Sequence, residues 1–160
     1  MLVGFGYDVH RLTPDRPCIL GGVRIPHKQG LLGHSDADVL VHAVMDAILG
    51  AMGERDIGQH FPNTDPSYAG ADSLSLLRRV VALAGEAGYR VHNLDSTVLA
   101  EEPKLAPHVQ AMKQNLAEAL GLPPRRVGVK ATTHEGLGFI GAREGIAAFA
   151  VVSLEEAEPG

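Results

Sequence analysis

Between positions 34 and 50 the apolar residues recur on the period of a buried helix. Val39, Leu40, Ala43, Val44, Ala47 and Ile48 fall on one broad face, and Val41, Met45 and Leu49 fill much of the rest. Ser35 and Asp36 are both good N-cap residues, and no Gly or Pro follows them until Gly50. Only Asp38, His42 and Asp46 break the apolar pattern; four apart, they form one stripe. Residues 2–10 alternate instead, as a strand does. Val3, Phe5, Tyr7 and Val9 share one face, and Gly4, Gly6, Asp8 and His10 the other. Cys18–Leu20 and Val23–Ile25 flank Gly21-Gly22, the signature of a hairpin with a two-residue turn. Residues 26–33 read as a loop. Asp72 caps a second helix with an apolar stripe of Leu74, Leu77, Val81 and Ala84, ended by Gly85 and Gly88. A strand follows from Tyr89 to Ala100. A third helix runs from about Pro107 to Leu120, where Gly121 and Pro123 stop it. Strands at Val127–Ala131 and Ile146–Leu154 precede a polar tail from Glu155 to Gly160. This order predicts a single mixed α/β (α+β) domain over residues 1–160, with a four-stranded sheet covered by helices on one face and a small separate hairpin.

Composition narrows the classes of function. Hydrophobic residues make up 45% of the chain and aromatics only 4%, so Leu, Val, Ile and Ala must fill the core. The formal net charge is −5 and no basic run exists to neutralise phosphates, which argues against a nucleic-acid partner. Neither a basic amphipathic stretch nor an apolar run of spanning length points to a membrane. The start of the chain reads as a strand rather than a signal peptide. The one cysteine, Cys18, excludes an intrachain disulfide and a Cys-cluster metal site, and favours a reducing, cytoplasmic setting.

Any metal site must therefore use histidine and carboxylate. Asp8 and His10 lie two apart on a strand, so their side chains point the same way and can bind one ion together. A buried imidazole at His42 costs free energy unless its nitrogens find partners. Joined to the strand pair, it makes a set of one carboxylate and two imidazoles, the set of a catalytic zinc with an open position. The plainer alternatives are a hydrogen-bonded core histidine and a polar strand end. The stretch from Asp56 to Pro66 is rich in turn formers and reads equally as a functional loop or a surface connection. From Thr132 to Gly141, hydroxyls, a carboxylate and three glycines suit a backbone that approaches a phosphate, without the residue order of a P-loop.

Taken together, Gly6-Tyr7-Asp8-Val9-His10-Arg11, the block from His34 through Asp46 to Gly50, Asp56-Ile57-Gly58, Phe61-Pro62 and Lys130-Ala131-Thr132-Thr133 through Gly138-Phe139 occur in the order of a known family. From Gly4 to Val152 the chain resembles the 2-C-methyl-D-erythritol 2,4-cyclodiphosphate synthases of the non-mevalonate isoprenoid pathway. The resemblance implies one zinc ion per subunit on Asp8, His10 and His42. It implies that His34 and Ser35, beside Val9, contact the methylerythritol phosphate end. Asp56, Ile57 and Gly58 shape that pocket, with Phe61, Pro62, Asn63, Thr64 and Asp65 close by. Ala100, Glu101, Glu102, Pro103, Lys104, Leu105 and Ala106, with Ala131, Thr132, Thr133, His134, Phe139 and Ala142, would form the cytidine and diphosphate side. Thr133 would help hold the diphosphate for attack, and Glu135 would bind magnesium or manganese bridging its phosphates. The implied assembly is a homotrimer with active sites at subunit junctions. Two departures stand out: Asn63 replaces a common Asp, its amide oxygen still able to accept a hydrogen bond, and Arg143 is displaced by one residue from the usual position.

The implied reaction is an intramolecular phosphoryl transfer on 4-diphosphocytidyl-2-C-methyl-D-erythritol 2-phosphate that releases CMP. Two rival readings use the same residues: a zinc-dependent phosphohydrolase, and a trimeric metal-stabilised binding module that would unfold on losing its metal.

Overall fold

The computed structural model describes residues 1–159; Gly160, the end of the expected polar tail, lies outside the described residues. The elements run β1 (Leu2–Pro14), β2 (Cys18–Leu20), β3 (Val23–Ile25), β4 (Gln29–Leu31), α1 (Val39–Ala51), α2 (Ile57–His60), α3 (Ser73–Glu86), β5 (Tyr89–Leu99), α4 (Val109–Leu120), β6 (Val127–Thr132), α5 (Gly138–Gly141) and β7 (Gly145–Glu156). Single 3-10 turns at Pro66–Tyr68, Ala106–His108 and Pro124–Arg126 lie between them. The main sheet has the order β4-β1-β7-β5-β6, with β2 and β3 as a separate hairpin. Its neighbours are antiparallel except β5 and β6, which are parallel. A parallel pair needs a crossover, and α4 lies in it.

Helix α1 is the centre of the core. Of its residues only Asp46 and Gly50 are not buried. It packs on β1 and β7, and the glycine face of β1 is what admits it. A Cβ at Gly6 would collide with the Ala43 carbonyl, and one at Gly4 with the Ala47 carbonyl. The other face of β1 carries the bulky residues and points away from α1. Val3, Phe5, Tyr7 and Val9 are exposed there, joined by Phe149 and Val151 of β7. The Phe149 ring lies 5.0 Å from Tyr7 and 5.8 Å from Phe5, centroid to centroid.

Several expectations need correction. The sheet has five strands rather than four, because β1 runs on to Pro14 and residues 29–31, expected as loop, pair with that extension. Asp38 caps α1, not Ser35 or Asp36: Ala37 turns the chain at φ 58°, and the two earlier side chains are engaged elsewhere. Asp72 does cap α3, by accepting the Leu74 amide, but the buried stripe is Leu76, Leu77, Val80 and Ala84, with Leu74 and Val81 at its margin. The third helix starts at Val109 after a 3-10 turn rather than at Pro107, and β7 takes Glu155 and Glu156 from the expected tail by pairing them with Arg90 and Tyr89. Gly121, at φ 68°, ends α4 in the left-handed conformation as expected. Among the described residues no helix is long and apolar enough to cross a membrane.

Candidate metal centre and substrate cavity

Strand β1 and helix α1 bring three donors together. Asp8 Oδ2 lies 2.9 Å from His10 Nε2 and 3.1 Å from His42 Nδ1, and the two ring nitrogens are 3.2 Å apart. The second nitrogen of each ring decides what the first presents. His10 Nδ1 is 2.9 Å from the Leu32 carbonyl. A carbonyl only accepts, so Nδ1 carries the hydrogen and Nε2 turns a lone pair to the centre. Two imidazole nitrogens and a carboxylate oxygen thus converge at distances that demand a cation or a proton between them. Burial pushes the Asp8 carboxyl up, but the hydrogen bonds and charge of His10 and His42 outweigh it and hold Asp8 at about 2. For His10, burial works against charge, but the Asp8 carboxylate wins and raises it. These are the only described residues grouped as a His, Cys, Asp and Glu cluster able to hold a metal ion. Two imidazoles and one carboxylate fit zinc with a position left for substrate.

The polar stripe of α1 splits into three tasks. His42 belongs to the donor set. Asp38, fully buried, accepts the Val41 amide at 3.1 Å and the hairpin-turn amides of Gly21 and Gly22 at 3.0 and 2.7 Å. Burial is the largest influence on its carboxyl, and with nearby Asp36 it outweighs those amides and pushes Asp38 up to about 6. Asp46 accepts the Ile57 amide at 2.8 Å and so anchors the loop that enters α2. Burial raises its carboxyl too.

The donors open onto a cavity of about 430 Å³. Of the residues expected near the methylerythritol end, His34, Ser35, Asp56, Ile57, Gly58, Phe61 and Asn63 line it. Pro62, Thr64 and Asp65 do not, although the Asp65 carbonyl accepts from His34 Nε2 at 2.9 Å and fixes that ring. Val9 turns to the opposite sheet face and lines a different, smaller recess with Phe139. Leu32, Gly33, Asp46, Tyr68 and Leu76 also line the main cavity and were not expected. Asp46 had a signal, a lone carboxylate on an apolar helix; the others are apolar or backbone contributions that no spacing announces. Arg16 secures the wall by donating to the carbonyls of Leu31 and Ser35 at 2.9 and 3.0 Å.

None of Ala100 to Ala106, Ala131 to Glu135 or Ala142 lines this cavity. They form a second group at the β6 end of the sheet. Glu101 accepts the His134 amide at 2.6 Å, which ties the two loops together, and Arg143 lies 3.4 Å from Glu102. Ala100 and Leu105 are buried, so only their backbone can face a ligand, whereas Lys104, Thr132, Thr133 and Glu135 are exposed. Glu135 stands at φ 53°, its amide 3.2 Å from Thr133 Oγ1.

Fold and site define a mixed α/β protein whose one-carboxylate, two-imidazole donor set can hold a metal ion at the edge of a polar cavity. Residues 1–155 match the YgbB family, and the chain belongs to it. The 2-C-methyl-D-erythritol 2,4-cyclodiphosphate synthase of Symbiobacterium thermophilum is 64% identical over 154 residues, covering 96% of this chain and 98% of that protein. Among solved structures, the bifunctional IspDF from Campylobacter jejuni matches with a TM-score of 0.93 and 45% identity over 97% of this chain; this chain spans only 42% of that one. A 2C-methyl-D-erythritol-2,4-cyclodiphosphate synthase in a CDP-bound form matches with a TM-score of 0.88 and 39% identity, over 96% of this chain and 99% of that one.

Proposed function

We propose that this chain is a 2-C-methyl-D-erythritol 2,4-cyclodiphosphate synthase, a phosphorus–oxygen lyase of isoprenoid biosynthesis. It converts 4-diphosphocytidyl-2-C-methyl-D-erythritol 2-phosphate to the cyclic diphosphate and CMP. The observation that carries this reading is the convergence of Asp8, His10 and His42 beside the His34–Ser35 wall in a chain 64% identical to a named synthase. The relative solved in a CDP-bound form supports a cytidine nucleotide as a ligand of this fold.

The 2-phosphate is an anion at neutral pH and needs no strong general base. The obstacle is to bring it in line with the β-phosphate, so positioning and charge neutralisation must supply most of the rate. When bound, zinc on Asp8, His10 and His42 and magnesium or manganese on Glu135 would supply that neutralisation. His34, held by Asp65, and Ser35 orient the phosphate end. The amides of 56–58, anchored by Asp46, shape the wall beside it. Lys104 adds a charge-assisted contact to the diphosphate, and Thr133 holds it for attack.

The assembly is a homotrimer. The apolar face of Val3, Phe5, Tyr7, Phe149 and Val151, with Val9 at its margin beside Phe139, is exposed and suits a second copy. A reducing, cytoplasmic setting fits Cys18, whose thiol burial pushes up to about 11. The whole of residues 1–160 serves one synthase domain.

Phosphorus NMR of the product tests the reaction. A cyclic diphosphate with one CMP released per turnover is expected, and an opened phosphate would identify a phosphohydrolase. His42→Ala should lose most bound zinc by elemental analysis and nearly all turnover. Full zinc in that variant would sink the assignment of the centre.

A further inference from the structure

The far side of the His42 ring holds a second arrangement. Its Nε2 points away from the donor centre, 2.9 Å from Ser73 Oγ and 3.1 Å from Ser35 Oγ. Ser73 is the first residue of α3 and is fully buried. Both of its donors are committed to one carboxylate: its hydroxyl donates to Asp36 Oδ1, and its amide to Asp36 Oδ2 at 3.0 Å. A hydroxyl has one proton. With that proton given to Asp36, Ser73 Oγ can only accept from His42, so Nε2 must carry the ring hydrogen. Nδ1 then has to present its lone pair toward Asp8 and His10. Ser35 imposes no such choice. Its Oγ accepts the Ala37 amide at 3.2 Å and keeps its own proton, so it suits either form of the ring.

We propose that Asp36 and Ser73 are positioning residues that fix the His42 tautomer and so pre-set Nδ1 as a metal donor. This inference rests on the reading of Asp8, His10 and His42 as the zinc centre. The physical need is specific to His42. His10 obtains its tautomer from a backbone carbonyl, which cannot donate. A neutral hydroxyl can donate or accept, so it fixes a tautomer only when a third group claims its proton. Asp36 is that group. The chain carboxylate, hydroxyl, imidazole also strengthens the ring as a donor. Outer partners of this kind are worth roughly 10- to 100-fold in metal affinity. The arrangement joins α1, the turn before it and the start of α3, so the donor geometry depends on how α3 is seated.

The test measures zinc affinity by competition with a chromophoric chelator, for wild type, Ser73→Ala and Ser73→Thr. Thermal unfolding of each metal-free protein reports the fold separately. Ser73→Ala should bind zinc about 10- to 100-fold more weakly, and Ser73→Thr, which restores the hydroxyl, within about threefold of wild type. Equal affinity in wild type and a folded Ser73→Ala overturns the inference, as does an equal loss in Ala and Thr, which would trace the effect to packing. If wild type itself fails to bind zinc, the reading of the centre fails instead. Long-range proton–nitrogen NMR of metal-free wild type needs no variant. It should place the His42 hydrogen on Nε2, and a hydrogen on Nδ1 would overturn the inference.

Discussion

Replacing Gly6 with Ala should disturb stability and metal binding together, because one contact sets both. Gly6 lies two residues before Asp8 on β1, and it faces Ala43, the neighbour of His42 on α1. An added Cβ would stand 2.9 Å from the Ala43 carbonyl carbon and 2.9 Å from the Ala47 nitrogen, with the Ala43 oxygen closer still. These are backbone atoms and cannot rotate away. Ordinary contact begins near 3.5 Å, so α1 must retreat from β1 by about 1 Å at this end. Such overpacking costs about 1–3 kcal/mol, and more where a backbone must move. The same retreat pulls His42 from Asp8 and His10, and a metal site tolerates only about 0.2 Å in its ligand distances. We expect Gly6→Ala to lose about 3 kcal/mol in denaturant unfolding and to bind zinc at least tenfold more weakly by chelator competition. Gly4→Ala meets Ala47 and Ala51 further from the donors. It should lose similar stability with a smaller effect on zinc. A Gly6→Ala protein with its unfolding free energy within about 1 kcal/mol of wild type, or with lost stability and unchanged zinc affinity, would refute the reasoning.

Asp38 gives a pH dependence with an inverted sign for a carboxylate. Its folded pKa of about 6 exceeds the ordinary 3.8, so the unfolded chain ionises first, and stability from this group falls as pH rises from about 4 to about 6. Urea unfolding across that window should show the wild type losing stability relative to Asp38→Asn; parallel curves would contradict it. Glu135→Gln should leave zinc content and folding unchanged, raise the magnesium or manganese needed for half-maximal rate and lower the maximal rate. Superimposable metal titrations would remove Glu135 from the second site. On the proposed trimer, inactive Asp8→Ala chains and impaired Glu135→Gln chains, mixed and reassembled, should exceed the activity of either alone, because one junction can combine two intact halves; a fully active monomer by light scattering would end that idea.

The residues of the donor set were legible because each breaks a local pattern. Asp8 and His10 end the glycine face of an alternating strand, and His42 interrupts a helix that is otherwise apolar. What those patterns meant for packing was less legible. The bulky face of β1 looks like the side that belongs in a core, yet the glycine face turns inward, because only backbone without side chains lets α1 approach so closely. The sequence offers Ser35 and Asp36 as caps of α1 and sets Asp38 in its polar stripe, yet Asp38 is the cap. All three side chains favour an N-cap, and what decides is tertiary: Ser35 and Asp36 are drawn to His42 and Ser73, leaving Asp38 for the helix. Strand β4 has no period of its own in three residues and exists through the open edge of β1. Ser73 and Asp36 are 37 positions apart and carry no sequence signal of their contact.

The arrangement of the sheet keeps the donor set and the group of residues at the β6 end apart. Val9, Ala147, Leu99 and Thr132 stand in register across β1, β7, β5 and β6. The donor residues of β1 and the loops that follow β5 and β6 therefore lie at the same end of the sheet, with β1 and β6 separated by three strand spacings, about 14 Å. A substrate whose 2-phosphate attacks its own β-phosphate cannot keep those two groups so far apart at the reacting moment. The cavity beside Asp8, His10 and His42 accordingly contains no residue of 100–106 or 131–142. Closing the gap within the chain would require β7 and β5 to give up the pairing that carries the sheet. In the proposed trimer a second copy avoids that by presenting its own 100–106 and 131–135 loops to the first chain's cavity. On the proposed assembly, the exposed apolar strand face and the separation of the two groups have one cause, the sheet that holds β1 and β6 three strands apart.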